Sequence, residues 1–319
     1  MANNKLTLID AHADILWRMN SEGLDFWAAP AEGGLHLSHE RIHKAGVDMQ
    51  MFVLWAGGNR KTPDEQLTFT LEMIDDFYEI VCKTGTIRPV LKRGDFARNL
   101  ADGVVSGMLS IEGGDCLNGD IRVLRMMYKL GVRAMGLTWN HSNCIADGVL
   151  APTDNGLTEF GSDVIREMNR LGMVVDVSHL AEKGFWDVME LAQAPVIASH
   201  ANARAIHDHV RNLTDEQIQA LFKTGGVIGL TYVPMFIGDG DVYISDILRH
   251  ADHILSLGGE DHLGLGSDFD GIERTVVDLR HGEDYPRLVE ALVKAYGDDV
   301  ARKICGGNFR RVFESVLEE

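Results

Sequence analysis

His12 and Asp14 stand two residues apart in Leu-Ile-Asp-Ala-His-Ala-Asp, where an apolar run stops. On a strand, residues i and i+2 share a face. An imidazole and a carboxylate pointing the same way can ligate a borderline cation such as zinc. Four more apolar runs end in the same manner: Gly-Met-Leu-Ser-Ile at Glu112, Val-Val-Asp-Val-Ser at His179, Val-Ile-Ala-Ser at His200, and Leu-Gly-Leu-Gly-Ser at Asp268. A single polar residue ending a buried strand is ordinary. Five such ends, each carrying His, Asp or Glu, read as one metal site assembled from distant parts of the chain.

Glu112 is the most diagnostic of them. A carboxylate at the end of a buried strand is costly without compensation, and Gly113-Gly114 lets the backbone turn sharply beside a ligand. With two oxygens, Glu112 can bridge two cations, which would share and activate one water. His179 and His200 close consecutive strands in the same register, and neutral imidazole is the commonest zinc ligand. Asp268, beside such a water, is suited to take its proton and pass it to a leaving amine. Asp270 is the competing carboxylate. Of the other histidines, His36, His39, His43, His250, His253 and His281 read as surface residues. His207 and His209 fall in a loop near enough to touch a substrate.

These residues need elements to hold them. Eight apolar runs read as strands: Leu6–Ala11, Val47–Trp55, Val104–Ile111, Val132–Thr138, Met173–Val177, Val196–Ser199, Val227–Tyr232 and Leu263–Ser267. Amphipathic segments lie between them, such as Glu159–Leu171, where Phe160, Val164, Ile165, Met168 and Leu171 recur at helical spacing. Thr214 and Gln217 form the signature of a capping box. This alternation predicts an α/β fold, a (β/α)₈ TIM-type barrel, with extra C-terminal helices at Tyr285–Tyr296 and Asn308–Leu317 packing outside it. A doubly wound open sheet is the alternative. In the barrel, active-site groups sit at the C-terminal ends of strands, and His12, Asp14, Glu112, His179, His200 and Asp268 all fall there. With no linker or repeat, residues 1–319 read as one domain.

Composition narrows the partners. A formal charge of −18 argues against nucleic acid, because phosphate binding relies on clustered Lys and Arg. The four cysteines are widely spaced, which suits reduced thiols rather than a disulfide framework. No apolar run approaches a membrane span of ~20 residues, and no signal peptide is visible, so the expected compartment is the cytoplasm. Barrels of this kind often dimerise, and a homodimer is an expectation the sequence leaves open.

Taken in order, HAD after the first strand, IEGGD, DVSH, ASH followed by ARAIHDHVRNLTDEQI, and GLGSDFDG resemble the membrane dipeptidase (renal dipeptidase) family of the amidohydrolase superfamily, from His12 to the closing GGNFRRVF. The resemblance implies a barrel with two Zn²⁺ ions and hydrolysis of dipeptides, including those with a D-residue at the C-terminal position. It places His12 and Asp14 on one zinc, His179 and His200 on the other, Glu112 between them and Asp268 as proton shuttle. It makes Arg211 the reader of the substrate carboxylate, a task its planar fork suits. Taken alone, Arg211 reads as a surface arginine. Tyr232, ending the seventh strand, is a further pocket candidate. One departure stands out. The animal enzymes end the fourth strand Leu-Thr-His, whereas this chain has Leu-Thr-Trp139-Asn140-His141. Either His141 reaches in from two positions later, or Asn140 or the metals alone stabilise the oxyanion.

The leading expectation is therefore a zinc-dependent dipeptidase in which a metal-bridging hydroxide attacks the peptide carbonyl. Another metal hydrolase on the same barrel, acting on an N-acyl amino acid, a lactone or a phosphoester, is the alternative. A barrel kept only as an interaction module is a third, and it predicts missing ligands.

Overall fold

The computed structural model describes residues 6–319. Its strands are β1 Ile9–Ala13, β2 Met49–Trp55, β3 Ile87–Pro89, β4 Val105–Glu112, β5 Val132–Gly136, β6 Val174–Asp176, β7 Ile197–Ala198, β8 Val227–Leu230 and β9 Leu263–Leu265. Eight of these pair in parallel in the order β1-β2-β4-β5-β6-β7-β8-β9, and β3 lies off this path against β4. The ring closes beyond β9. Ala13 bridges Phe269, the Asp268 amide donates to the His12 carbonyl at 3.0 Å, and the Asp14 amide donates to the Phe269 carbonyl at 2.9 Å. Closure rules out the open sheet and makes this the (β/α)₈ barrel.

All eight expected strands are present, most of them shorter than the apolar runs suggested. The first begins at Ile9 and carries through to Ala13 rather than ending at Ala11. The three-residue β3 was not expected, nor were the helices Ile15–Glu22 and Asp95–Ala101. Local chemistry explains the helix ends that were anticipated. Thr214 and Gln217 form the reciprocal capping box, and Gly172 ends Glu159–Leu171 in the left-handed conformation. The helix expected to stop at Tyr296 does break there, because Gly297 leaves helical geometry before the chain resumes to Arg302.

A bulge in β1 aims the first two site residues. Asp10 pairs with Gln50 but Ala13 pairs with Phe52, so three steps on β1 face two on β2. Ile9 and Ala11 pack inside with Met49 and Met51, whereas Ala13 packs outside with Phe52. The extra residue frees His12 from the side of Asp10, whose carboxylate is held by Ser267 and the Tyr285 hydroxyl.

The C-terminal helix corrects a second expectation. Asn308–Val316 does not merely lie outside the barrel; it seals its N-terminal end. Phe309, Val312, Phe313 and Val316 form one buried cluster with Ile9, Met49, Val174, Ile197 and Val227, the first residues of their strands. Apolar plugging of this end leaves the other to carry the polar groups.

Candidate metal centre and active site

Those groups converge at the C-terminal mouth. β4 is buried along its whole length and delivers Glu112 to the barrel axis. Glu112 Oε1 lies 2.9 Å from His179 Nε2, 3.6 Å from His12 Nε2 and 3.7 Å from His200 Nε2. His179 Nε2 and His200 Nε2 are 2.9 Å apart. His12 Nε2 is also 3.7 Å from Asp14 Oδ2 and 4.0 Å from Asp268 Oδ1. Six side chains from five strand ends thus share one small volume, as the sequence pattern anticipated.

The backbone is bent to achieve this. Gly113 turns the chain at φ 84°, and a Cβ there would lie 3.0 Å from the Asp115 carboxylate and 3.3 Å from the Trp139 amide. Among the described residues the non-glycine positions with positive φ are Asn118, His179, Asp268 and Asp270. Such residues cost roughly 1–3 kcal/mol each and tend to gather at active sites. Two of these four are site residues.

Electrostatically the cluster is short of positive charge. Burial opposes a charge on His12, but Glu112, Asp14 and Asp268 outweigh it and push the imidazole up to about 10. Burial raises Asp14 well above the carboxylate range, and neighbouring Glu112 adds to it. Asp268 is pushed up to about 6, chiefly by burial. His179 falls to about 4 and His200 well below the usual value, again chiefly by burial, with Arg211 adding to both. Two buried carboxylates and the part-buried Asp268 beside three imidazole Nε2 atoms are the donor set of a borderline divalent cation. His12 Nε2 supports this, being buried with no hydrogen-bond partner. The residues fit metal.

The other expected site residues fare unevenly. Arg211 is buried, with its Nη2 2.8 Å from His200 Nε2 and its guanidinium 5.3 Å from the Phe236 ring centroid. Its Nε finds no hydrogen-bond partner, so the surface reading of this arginine is wrong. Tyr232 is not a pocket residue: it is fully buried against Phe269 and Tyr285, away from the cavity lining. His141 does not reach in either; it is exposed, and Asn140 takes the inward position, its Oδ1 2.7 Å from His179 Nδ1. Asp270 is structural, accepting from the amides of His36 at 2.7 Å and Leu37 at 3.1 Å and from Arg18 at 3.2 Å.

Three histidines read as surface residues are not; one is His281, half-buried and lining the cavity. His250 is fully buried between the Ala203 amide and the Ile237 carbonyl. His36 lines the cavity and accepts from the Asp270 amide. Sequence reasoning also missed an aromatic wall. Trp55 packs against Trp17 at 5.3 Å and Trp139 at 4.9 Å between ring centroids, and all three line a cavity of about 1550 Å³ over the cluster. The signal was there in Trp55 and Trp139, each ending or following a strand.

Fold and site together give a closed (β/α)₈ barrel with a carboxylate–imidazole cluster fit for a metal at its C-terminal mouth. The chain belongs to the membrane dipeptidase family, peptidase family M19, whose description matches residues 2–318; by class it is a metal-dependent dipeptidase. It is 37% identical over 253 residues to an uncharacterized protein in the pqqA 5′ region of Klebsiella pneumoniae, covering 75% of this chain and 93% of that one. It is 36% identical over 231 residues to dipeptidase tcpJ of Claviceps purpurea, covering 70% of this chain and 54% of the fungal protein, so it spans only about half of that relative. Among solved structures it resembles a metallo peptidase from Rhodobacter sphaeroides liganded with a phosphinate mimic of the dipeptide L-Ala-D-Ala, with a TM-score of 0.90, 27% identity and coverage of 98% and 99%. A dipeptidase AC of family M19 gives a TM-score of 0.91 at 28% identity, with the same coverage.

Proposed function

We propose that this chain hydrolyses the peptide bond of short dipeptides, including L-Xaa-D-Xaa substrates, at a centre of two zinc ions. The observation that carries the reading is the convergence of three imidazole Nε2 atoms on one oxygen of Glu112, within 3.7 Å. His12 and Asp14 would hold one ion, His179 and His200 the other, and Glu112 would join them. Bound there, divalent cations supply Lewis-acid polarisation of a carbonyl and an acidified water.

The chain's own residues supply the rest. Asp268, at the rim of the cluster, moves a proton from the attacking water to the departing amine nitrogen. Its burial supports the assignment, because a carboxyl raised to about 6 exchanges protons near neutrality. Arg211 takes the substrate's terminal carboxylate, for which it must turn from His200. Its unpartnered Nε supports that reading. Trp17, Trp55 and Trp139 form an apolar wall that excludes water and receives a side chain.

The phosphinate mimic of L-Ala-D-Ala bound by the Rhodobacter sphaeroides enzyme supports the inclusion of L,D substrates. Among the described residues no helix is long and apolar enough to cross a membrane, which is compatible with a cytoplasmic site of action. Turnover of paired L,D- and L,L-dipeptides, set against an N-acyl amino acid, a lactone and a phosphoester, tests the proposal. Hydrolysis of L,D-dipeptides before and after chelation should separate full activity from none. Preference for the ester or lactone would overturn it.

A further inference from the structure

Ser199 precedes His200 at the end of β7 and is fully buried. Its Oγ lies 2.5 Å from Asp176 Oδ2, 2.9 Å from His200 Nδ1 and 3.1 Å from His12 Nδ1. The Ser178 hydroxyl is farther, at 3.4 Å. A serine hydroxyl has one proton to donate and two lone pairs to accept with. The other Asp176 oxygen, Oδ1, already accepts from the Ser178 amide at 2.9 Å and the Ser199 amide at 3.0 Å. Ionised, the Asp176 side chain has acceptors only, so the Ser199 proton goes to Oδ2. Two lone pairs remain for two imidazoles, and each must then donate from Nδ1.

We infer that Ser199 is a positioning residue that sets His12 and His200 together, holding a proton on each Nδ1 so that each Nε2 faces the metal. The inference rests on the metal-centre reading above and deepens it, since one hydroxyl joins a ligand of one cation to a ligand of the other. His179 is set independently, because its Nδ1 is held by Asn140. It serves as an internal control.

Asp176→Asn has a distinct consequence. The amide oxygen must remain on the two backbone N–H groups, which turns the NH₂ toward Ser199 Oγ. The side-chain amide then donates to the hydroxyl, whose proton is redirected to one imidazole Nδ1. One ring loses its setting and the other keeps it.

The test is chelator competition for Zn²⁺ on the loaded full chain, with ¹⁵N-histidine NMR of the same samples. In the wild type, His12, His179 and His200 should each show an exchange-protected Nδ1 proton. Ser199→Ala should weaken both cations by about 10–100-fold, the range for losing an outer partner of a metal-bound histidine, and expose the Nδ1 protons of His12 and His200 while His179 keeps its own. Asp176→Asn should weaken one cation and expose one ring. Wild-type affinity for both cations with three protected protons in Ser199→Ala overturns the inference. If Ser199→Ala also disturbs His179, Asp176→Asn decides, and unchanged affinity for both cations in that variant overturns it. If the wild type takes up no Zn²⁺, the metal reading fails, and the zinc-free spectrum decides Ser199: protected Nδ1 protons on His12 and His200 support it, and exchangeable ones overturn it.

Discussion

Glu112 Oε1 stands 2.9 Å from His179 Nε2, and the same oxygen is the nearest carboxylate oxygen to His12 Nε2. One glutamate therefore serves imidazoles from opposite halves of the cluster. The purified chain should contain close to two divalent cations, and chelation should abolish activity. Glu112→Gln should lower occupancy at both positions, because it removes a ligand common to both. Metal analysis of the variant checks this, and two cations bound at full occupancy would refute the bridging assignment.

Asp268 and Asp270 are separated by what holds them. Both line the cavity, but Asp270 is fully engaged by Arg18 and the amides of His36 and Leu37, with no exposed side-chain surface, whereas the Asp268 side chain keeps part of its surface open. Asp268→Asn should keep the metals but lower kcat by about 10²–10⁴-fold, the loss expected for a general acid–base. Asp270→Asn should instead cost about 1–3 kcal/mol of stability, because an amide NH₂ cannot satisfy the donors around it. Steady-state kinetics and thermal melts of the pair check this. A crippled Asp270→Asn beside a mild Asp268→Asn would show the wrong carboxylate was chosen.

Arg211 bears on substrate class. A guanidinium pairing with a terminal carboxylate in a buried site is worth roughly 2–5 kcal/mol when one partner is removed. Arg211→Met should lower kcat/KM for dipeptides by about 30-fold or more, at 1.4 kcal/mol per decade. A dipeptide amide, whose C-terminus carries no charge, should lose far less. Burial pushes Arg211 down only to about 10, so it stays charged at neutral pH and the contrast should persist across the neutral range. Equal losses on acid and amide would show that it does not read the carboxylate.

The sequence exposed what depends on local order and concealed what depends on neighbours. Eight strands and five site-bearing strand ends were legible because a buried parallel strand is a continuous apolar run, and a polar residue stopping it is conspicuous. β3 escaped because three residues ending at Pro89 carry too little pattern. Tyr232 misled because its position at a strand end resembles that of the residues that converge at the mouth, yet its ring turns into the core beside Phe269 and Tyr285. Asn140 and His141 could not be told apart, since loop geometry decides which side chain enters. The sharing of Ser199 between His12 and His200 was invisible. It requires β1, β6 and β7 to bring their ends together across a closed barrel, and residues 187 apart to meet at 3.1 Å.

Gly271 tests how tightly the loop after β9 is fitted to the cluster. A Cβ built there would lie 2.3 Å from Asp14 Oδ2 and 2.5 Å from Asp268 Oδ1. Both atoms are ends of side chains, so Gly271→Ala can be accommodated, but only by moving the two carboxylates to which the proposed chemistry assigns a ligand and a proton shuttle. The fold should survive, because the displaced groups face the cavity rather than the apolar core. A misplacement near 1 Å costs about 10²-fold in rate, so kcat/KM should fall by about that factor, with metal occupancy reduced where Asp14 contributes and the melting temperature little changed. Metal content, kinetics and a thermal melt of one preparation check all three. Full activity with two bound cations would show that the loop yields as a unit and that Asp14 and Asp268 keep their places without the glycine.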